Sequence, residues 1–112
     1  LRVAGYSAQA IEKVGMGKLL VAPNVLYLAG QPRHVNFIVR WKPYSKIAIK
    51  LFDASGRRVR EQAGICDADG VLAVSSSGMD GSSLAPGTYW ALAEGEGVRA
   101  SKPFMVLIKA PK

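Results

Sequence analysis

From Val35 onward the side chains alternate in character every second residue, and the chain is interrupted every few residues by Gly or Pro. No helix satisfies such a pattern, whereas short strands joined by tight turns do. In Val35 to Trp41, the residues Val35, Phe37, Val39 and Trp41 point one way and Asn36, Ile38 and Arg40 the other. After the break at Lys42-Pro43-Tyr44-Ser45, Lys46 to Phe52 repeats the period, with Ile47, Ile49 and Leu51 on one face. These two segments are expected as a strand pair. Asp53-Ala54-Ser55-Gly56 then reverses the chain into Arg57 to Gln62, since Asp bonds the backbone ahead of it and Gly accepts positive φ.

The same punctuation continues. Asp67-Ala68-Asp69-Gly70 leads into Val71 to Val74, which the run Ser75-Ser76-Ser77-Gly78 ends. Pro86-Gly87 launches Thr88 to Leu92, Glu94-Gly95-Glu96-Gly97 is a hairpin turn, and the last strand holds Val98 to Ser101 and Phe104 to Ile108. Pro103 within it, lacking an N–H, demands a bulge or an edge position. Upstream, Val25 to Leu28 reads as the first strand of the domain. About seven short strands at hairpin spacing predict an all-β, antiparallel β-sandwich over residues 18–112. Residues 1–17 bracket a weak helical periodicity at Ala8 to Val14 with Gly5, Gly15 and Gly17, and are expected as an N-terminal arm or linker.

At 112 residues the chain is one module, 49% hydrophobic and so too apolar for a disordered segment. Its apolar runs fall short of the roughly 20 residues that span a bilayer. Beginning at Leu1, it reads as a processed product or an excised domain. Residues 1–60 carry a net charge of +9 and residues 61–112 a net −2, making the overall +7. A basic half of this kind suits a polyanion or guards exposed strand edges.

The residues Ile47 to Ile108 resemble a family pattern: a strand ending in Phe52-Asp53, then Ala54-Ser55-Gly56-Arg57-Arg58-Val59-Arg60, then Asp80-Gly81, then Leu84-Ala85-Pro86-Gly87-Thr88-Tyr89-Trp90. This is similar to the Ig-like domain of the flagellar hook-capping protein and to the C-terminal sorting domains of the type IX secretion system. The resemblance implies an Ig-like β-sandwich in a secreted, extracellular or cell-surface protein, with Tyr89 plugging one end of the sandwich.

Residues able to do chemistry are few. Cys66 is the single cysteine and His34 the single histidine, which excludes an internal disulfide and the usual Cys/His zinc sites. No Gly-X-Ser-X-Gly elbow accompanies the serines. Asp67 and Asp69 open like a calcium loop, but Leu72 and Gly78 stand where that loop needs Gly and Glu. Gly15-Met16-Gly17-Lys18 lacks the remaining phosphate-loop residues. A non-enzymatic interaction module without cofactor follows, working by protein–protein contact, self-association or filament formation. Its candidate interaction arm is Lys18, Leu19, Leu20 and Val21, which suit strand addition to a neighbour. The alternative is a carbohydrate- or polyanion-binding module using Trp41, Lys42, Tyr44, Lys46, Lys50, Arg57, Arg58 and Arg60, basic side chains interleaved with aromatics.

Chelation of divalent cations is expected to leave the melting temperature within about one degree, because the Asp67-Asp69 ligand set is incomplete. Calorimetry with and without EDTA measures this, and a loss of several degrees would assign the loop a bound ion.

Overall fold

The computed structural model describes residues 2–3, 6–7, 15–30, 34–81 and 83–109. The described chain is almost entirely strand. Two short strands, β1 (Arg2–Val3) and β2 (Tyr6–Ser7), form a separate antiparallel pair. The body follows with β3 (Leu19–Ala22), β4 (Val25–Ala29), β5 (Asn36–Arg40), β6 (Lys46–Asp53), β7 (Arg58–Ile65), β8 (Val71–Ser75), β9 (Asp80–Gly81), β10 (Gly87–Gly95) and β11 (Val98–Lys109). A single 3-10 turn, Ser76–Gly78, is the one helical element among the described residues. The segment Ala8 to Val14 lies outside them.

Strands β3-β5-β8 make a three-stranded sheet that faces a six-stranded sheet of order β4-β11-β10-β6-β7-β9. The core lies between them. Phe37 and Val39 of β5 and Val74 of β8 meet Ile47, Ile49, Leu51, Ala91, Ala93, Phe104 and Val106 from the larger sheet. Period 2 explains the selection: each of these is the inward member of an alternating strand. Phe104 packs edge-on against Phe37 with ring centroids 5.4 Å apart and stacks on Tyr89 at 5.5 Å. The Tyr89 hydroxyl donates to the Ala85 carbonyl at 2.7 Å, so its polar end is satisfied while the ring is buried.

The turns work as their residues dictate. Asp53 Oδ1 accepts from the N–H groups of Ser55 and Arg57, and Asp67 Oδ1 from those of Asp69 and Val71. Glu96 and Gly97 both have positive φ, the geometry of a two-residue hairpin turn that matches strand twist. Pro103 sits on β11 opposite Trp90, but β4 begins its pairing only at Met105. The missing N–H therefore falls where β11 is locally an edge.

Three expectations are corrected. The body has nine strands rather than about seven, because Leu19–Ala22 pairs with β5 and a two-residue strand at Asp80–Gly81 caps β7. The larger sheet is mixed: β4 runs parallel to β11. Pro23-Asn24 carries the chain from the small sheet to the edge of the large one, which delivers β4 beside the final strand in the same direction. Lastly, β5 and β6 do not pair with each other. The break at residues 42–45 transfers the chain between sheets, anchored by the Trp41 N–H on the Gly70 carbonyl and the Cys66 N–H on the Ser45 carbonyl.

Gly70 makes that transfer physically tight. Its φ is +78°, and a Cβ there would lie 2.1 Å from the Trp41 carbonyl oxygen. Gly56, at φ +86°, has open space around the same position. Gly56→Ala is expected to cost about 1 kcal/mol from backbone strain alone, and Gly70→Ala about 3 kcal/mol or more because main chain must also move. Urea denaturation of the two variants measures the difference, and equal losses would contradict the close approach.

Candidate functional face

The outer face of the six-stranded sheet is built by the residues that alternate with the core. Pairing register aligns Trp90 with Phe52 on one side and Pro103 on the other, Leu92 with Lys50 and Ser101, and Thr88 with Met105 and then Val25. Leu107 lies beside Tyr27 in the same layer. Apolar and aromatic side chains thus run without interruption across four strands. Trp90 is 48% exposed and Met105 44%. Single exposed hydrophobics are ordinary on a protein surface, but a contiguous set spanning a sheet face marks a binding surface.

A groove of about 560 Å³ opens on this face. Trp90, Phe52 and Leu92 supply its apolar wall, Arg99 and Ser101 stand along one side, and the turn at 53–56 closes one end. Ion pairs border the apolar surface on its β6–β7 side: Lys50 to Glu94 at 2.7 Å, Arg58 to Glu61 at 2.8 Å and Arg57 to Asp53 at 3.3 Å. The hydrogen bond from Lys50 and its charge hold the Glu94 carboxyl below the usual value, with Arg99 adding to this. Asp53 is likewise lowered, first by the Ser55 hydroxyl and then by the Arg57 N–H. An apolar centre with a charged rim is the composition of a protein contact surface. A second groove of about 710 Å³ follows β7 beside Gly81 and is lined largely by charged and main-chain groups.

The basic and aromatic residues singled out from the sequence divide among three places. Lys46, Lys50 and Arg58 share the outer face, with Arg57 on the turn at its border. Arg60 is on the opposite side of β7, where its guanidinium donates to the Ser76 carbonyl at 2.7 Å. Trp41, Lys42 and Tyr44 are at the end of the sandwich, because β5 belongs to the other sheet. There the Trp41 indole N–H donates to the Glu96 carbonyl at 3.1 Å and Lys42 Nζ lies 5.5 Å from the ring centroid. Tyr44 is exposed. Of the arm residues, Leu19, Leu20 and Val21 are paired with β5 inside the chain and Leu19 is buried in the core, with Lys18 just before them.

Cys66 is buried, and that burial, followed by the charge of Asp67, pushes its thiol up and away from the reactive thiolate. His34 is exposed. Among the described residues no three His, Cys, Asp or Glu side chains gather in a metal-holding group.

Sequence reading missed the face around Trp90. The signal was present in Thr88 to Ala93, where the bulky Trp90 and Leu92 alternate with the small Ala91 and Ala93. Because both faces of that strand are apolar, the period alone does not say which one meets the core; the structure turns the small pair inward.

No protein-family model matches the chain, and no curated protein matches it.

The two lowered carboxyls make stability dependent on acid. A carboxyl lowered on folding contributes fully above its ordinary value, 3.8 for Asp53, and its contribution disappears as pH falls through the lowered folded value. Denaturation of the wild type is therefore expected to become easier as pH drops below about 4, and Asp53→Asn to flatten that decline. An unchanged acid limb in the variant would show that Asp53 carries none of it.

Proposed function

We propose that this chain is a non-enzymatic Ig-like module of an extracellular or cell-envelope assembly, acting by protein–protein contact through the outer face of the six-stranded sheet. The observation that carries the reading is the exposure of Trp90 and Met105 at the centre of an apolar face spanning β4, β11, β10 and β6. Trp is the residue type most often found to dominate contact energy when a polar rim excludes water around it.

The Ig-like part of the reading is supported by two features. Strands β3-β5-β8 oppose β11-β10-β6-β7, an order equivalent to A-B-E against G-F-C-C′ in variable-type immunoglobulin sandwiches. Tyr89 near the start of β10 donates back to the main chain four residues upstream, the position and bond of the tyrosine corner found at the start of strand F. The sequence resemblance to the hook-capping and sorting domains agrees with both, and the extracellular setting rests on that resemblance.

A glycan or polyanion is the second reading, favoured by Lys46, Lys50, Arg58 and Arg99 lying on the same face as Trp90. Light scattering and heparin retention at low and high salt separate the two. Protein contact is expected to give association that persists in about 1 M salt, where screening is nearly complete, and that Trp90→Ala with Met105→Lys removes while the fold remains intact by circular dichroism. Salt-reversible heparin capture without such association would replace this reading with the second.

A further inference from the structure

The groove over Trp90 contains one charge that the chain leaves unanswered. Arg99 stands on its β11 side, directly opposite Glu94 of β10. Glu94 gives its carboxylate to Lys50 at 2.7 Å, and Asp53, at the other end of the groove, accepts from Ser55 and Arg57 within its own turn. Both neighbouring carboxylates are therefore committed. Among the described residues the Arg99 side chain, which is exposed, makes no hydrogen bond and no ion pair. A guanidinium in this state offers a planar fork of donors that matches a carboxylate in bidentate fashion.

Apolar side chains set the rest of the groove, where Phe52 and Leu92 flank the half-exposed Trp90. Trp90 precedes Glu94 by four residues on β10, and Arg99 is one strand across from Glu94. At about 3.4 Å per residue and about 4.8 Å per strand, Trp90 and Arg99 are about 14 Å apart, a distance that about four residues of extended chain cover. The volume of about 560 Å³ is in the range of sites that take a small ligand or a short stretch of chain.

We propose that this groove holds a short extended segment of a different protein, with an apolar or aromatic side chain on Trp90 and an Asp or Glu about four residues away, in either chain direction, paired with Arg99. The inference rests on the protein-contact reading and names the chemistry of the partner. Charge complementarity selects the occupant. A chain of net charge +7 draws an acidic partner and repels a second copy of itself, and the uncommitted cation in the groove gives that attraction a fixed point of contact. A glycan fits less well, because its hydroxyls would lie over Phe52, Trp90 and Leu92 with only Arg99 and Ser101 as uncommitted polar side chains along the wall.

The test selects a phage-displayed library of random seven-residue peptides on the full chain. Enriched sequences are expected to carry Asp or Glu about four positions from an aromatic or large apolar residue, and selection on Arg99→Glu to replace that acid with Lys or Arg. By fluorescence anisotropy, an enriched peptide is expected to bind Arg99→Gln and Trp90→Ala at least about tenfold more weakly than wild type, and Lys109→Gln, an exposed cation farther along β11 and outside the groove, with less than about a twofold change. No enrichment, enrichment without the acid, or equal losses in Arg99→Gln and Lys109→Gln overturns the proposal. Heparin retention that Arg99→Gln and Trp90→Ala both abolish, with no peptide enriched, assigns the groove to a glycan instead. The protein-contact reading is judged separately: association that survives high salt and is removed by Trp90→Ala with Met105→Lys keeps that reading even where no acidic peptide is enriched.

Discussion

The two sheets are held together at one aromatic junction. Phe37 comes from the small sheet, Phe104 and Tyr89 from the large one, and the three rings meet at 5.4 and 5.5 Å. Removing Phe104 would leave a void against both Phe37 and Tyr89, and such truncations cost about 3–5 kcal/mol in well-packed cores. The junction also orders its surroundings. Tyr89 is drawn far enough inward for its hydroxyl to find the Ala85 carbonyl, which ties the Pro86-Gly87 turn to the start of β10. Register along β10 then follows, and with it the outward direction of Trp90 and Leu92.

This dependence connects core to surface. In a strand of period 2, fixing Tyr89, Ala91 and Ala93 inward leaves no freedom for the residues between them. The small inward alanines let β10 lie close beneath the core rings, and of the large outward residues Trp90 stays about half exposed and Leu92 half-buried. The apolar face is thus a direct result of how the interior is filled. Its charged border has a related origin: Lys50 and Glu94 are outward residues on neighbouring strands, and a register irregularity in β7 opposite Leu51 and Phe52 brings Arg58 and Glu61, three residues apart on that strand, to the same exposed side.

Much of the architecture was legible in the sequence because turn chemistry and alternation are local. Asp53 to Gly56 and Asp67 to Gly70 form the turns that their residues demand, and β6 buries the three residues that its period selects. Pairing was less legible, because it depends on which sheet a strand joins. The chain crosses between sheets at residues 42–45, so two alternating segments only a few residues apart have different neighbours. That crossing is also why Trp41 and Tyr44 stand at the end of the sandwich while Lys50 stands on the outer face of the large sheet. The short apolar segment at 19–22 illustrates the converse: its composition suits an added strand, and the chain itself supplies β5 to receive it. The outer face escaped notice for a different reason, since a strand apolar on both sides carries no marker of its inward direction.

The parallel alignment of β4 and β11 has a mechanical consequence. Tension applied to the start of β4 and the end of β11 would pull the two strands past one another along their length. In that geometry the hydrogen bonds between Val25–Ala29 and Met105–Lys109 are strained simultaneously, whereas in a hairpin pulled from its open end they separate one at a time. A module strung between neighbours by its two ends would therefore load the β3–β5 pairing and then this ladder, because β3 precedes β4 in the chain, and once β3 was released the β4–β11 ladder would carry the force in shear.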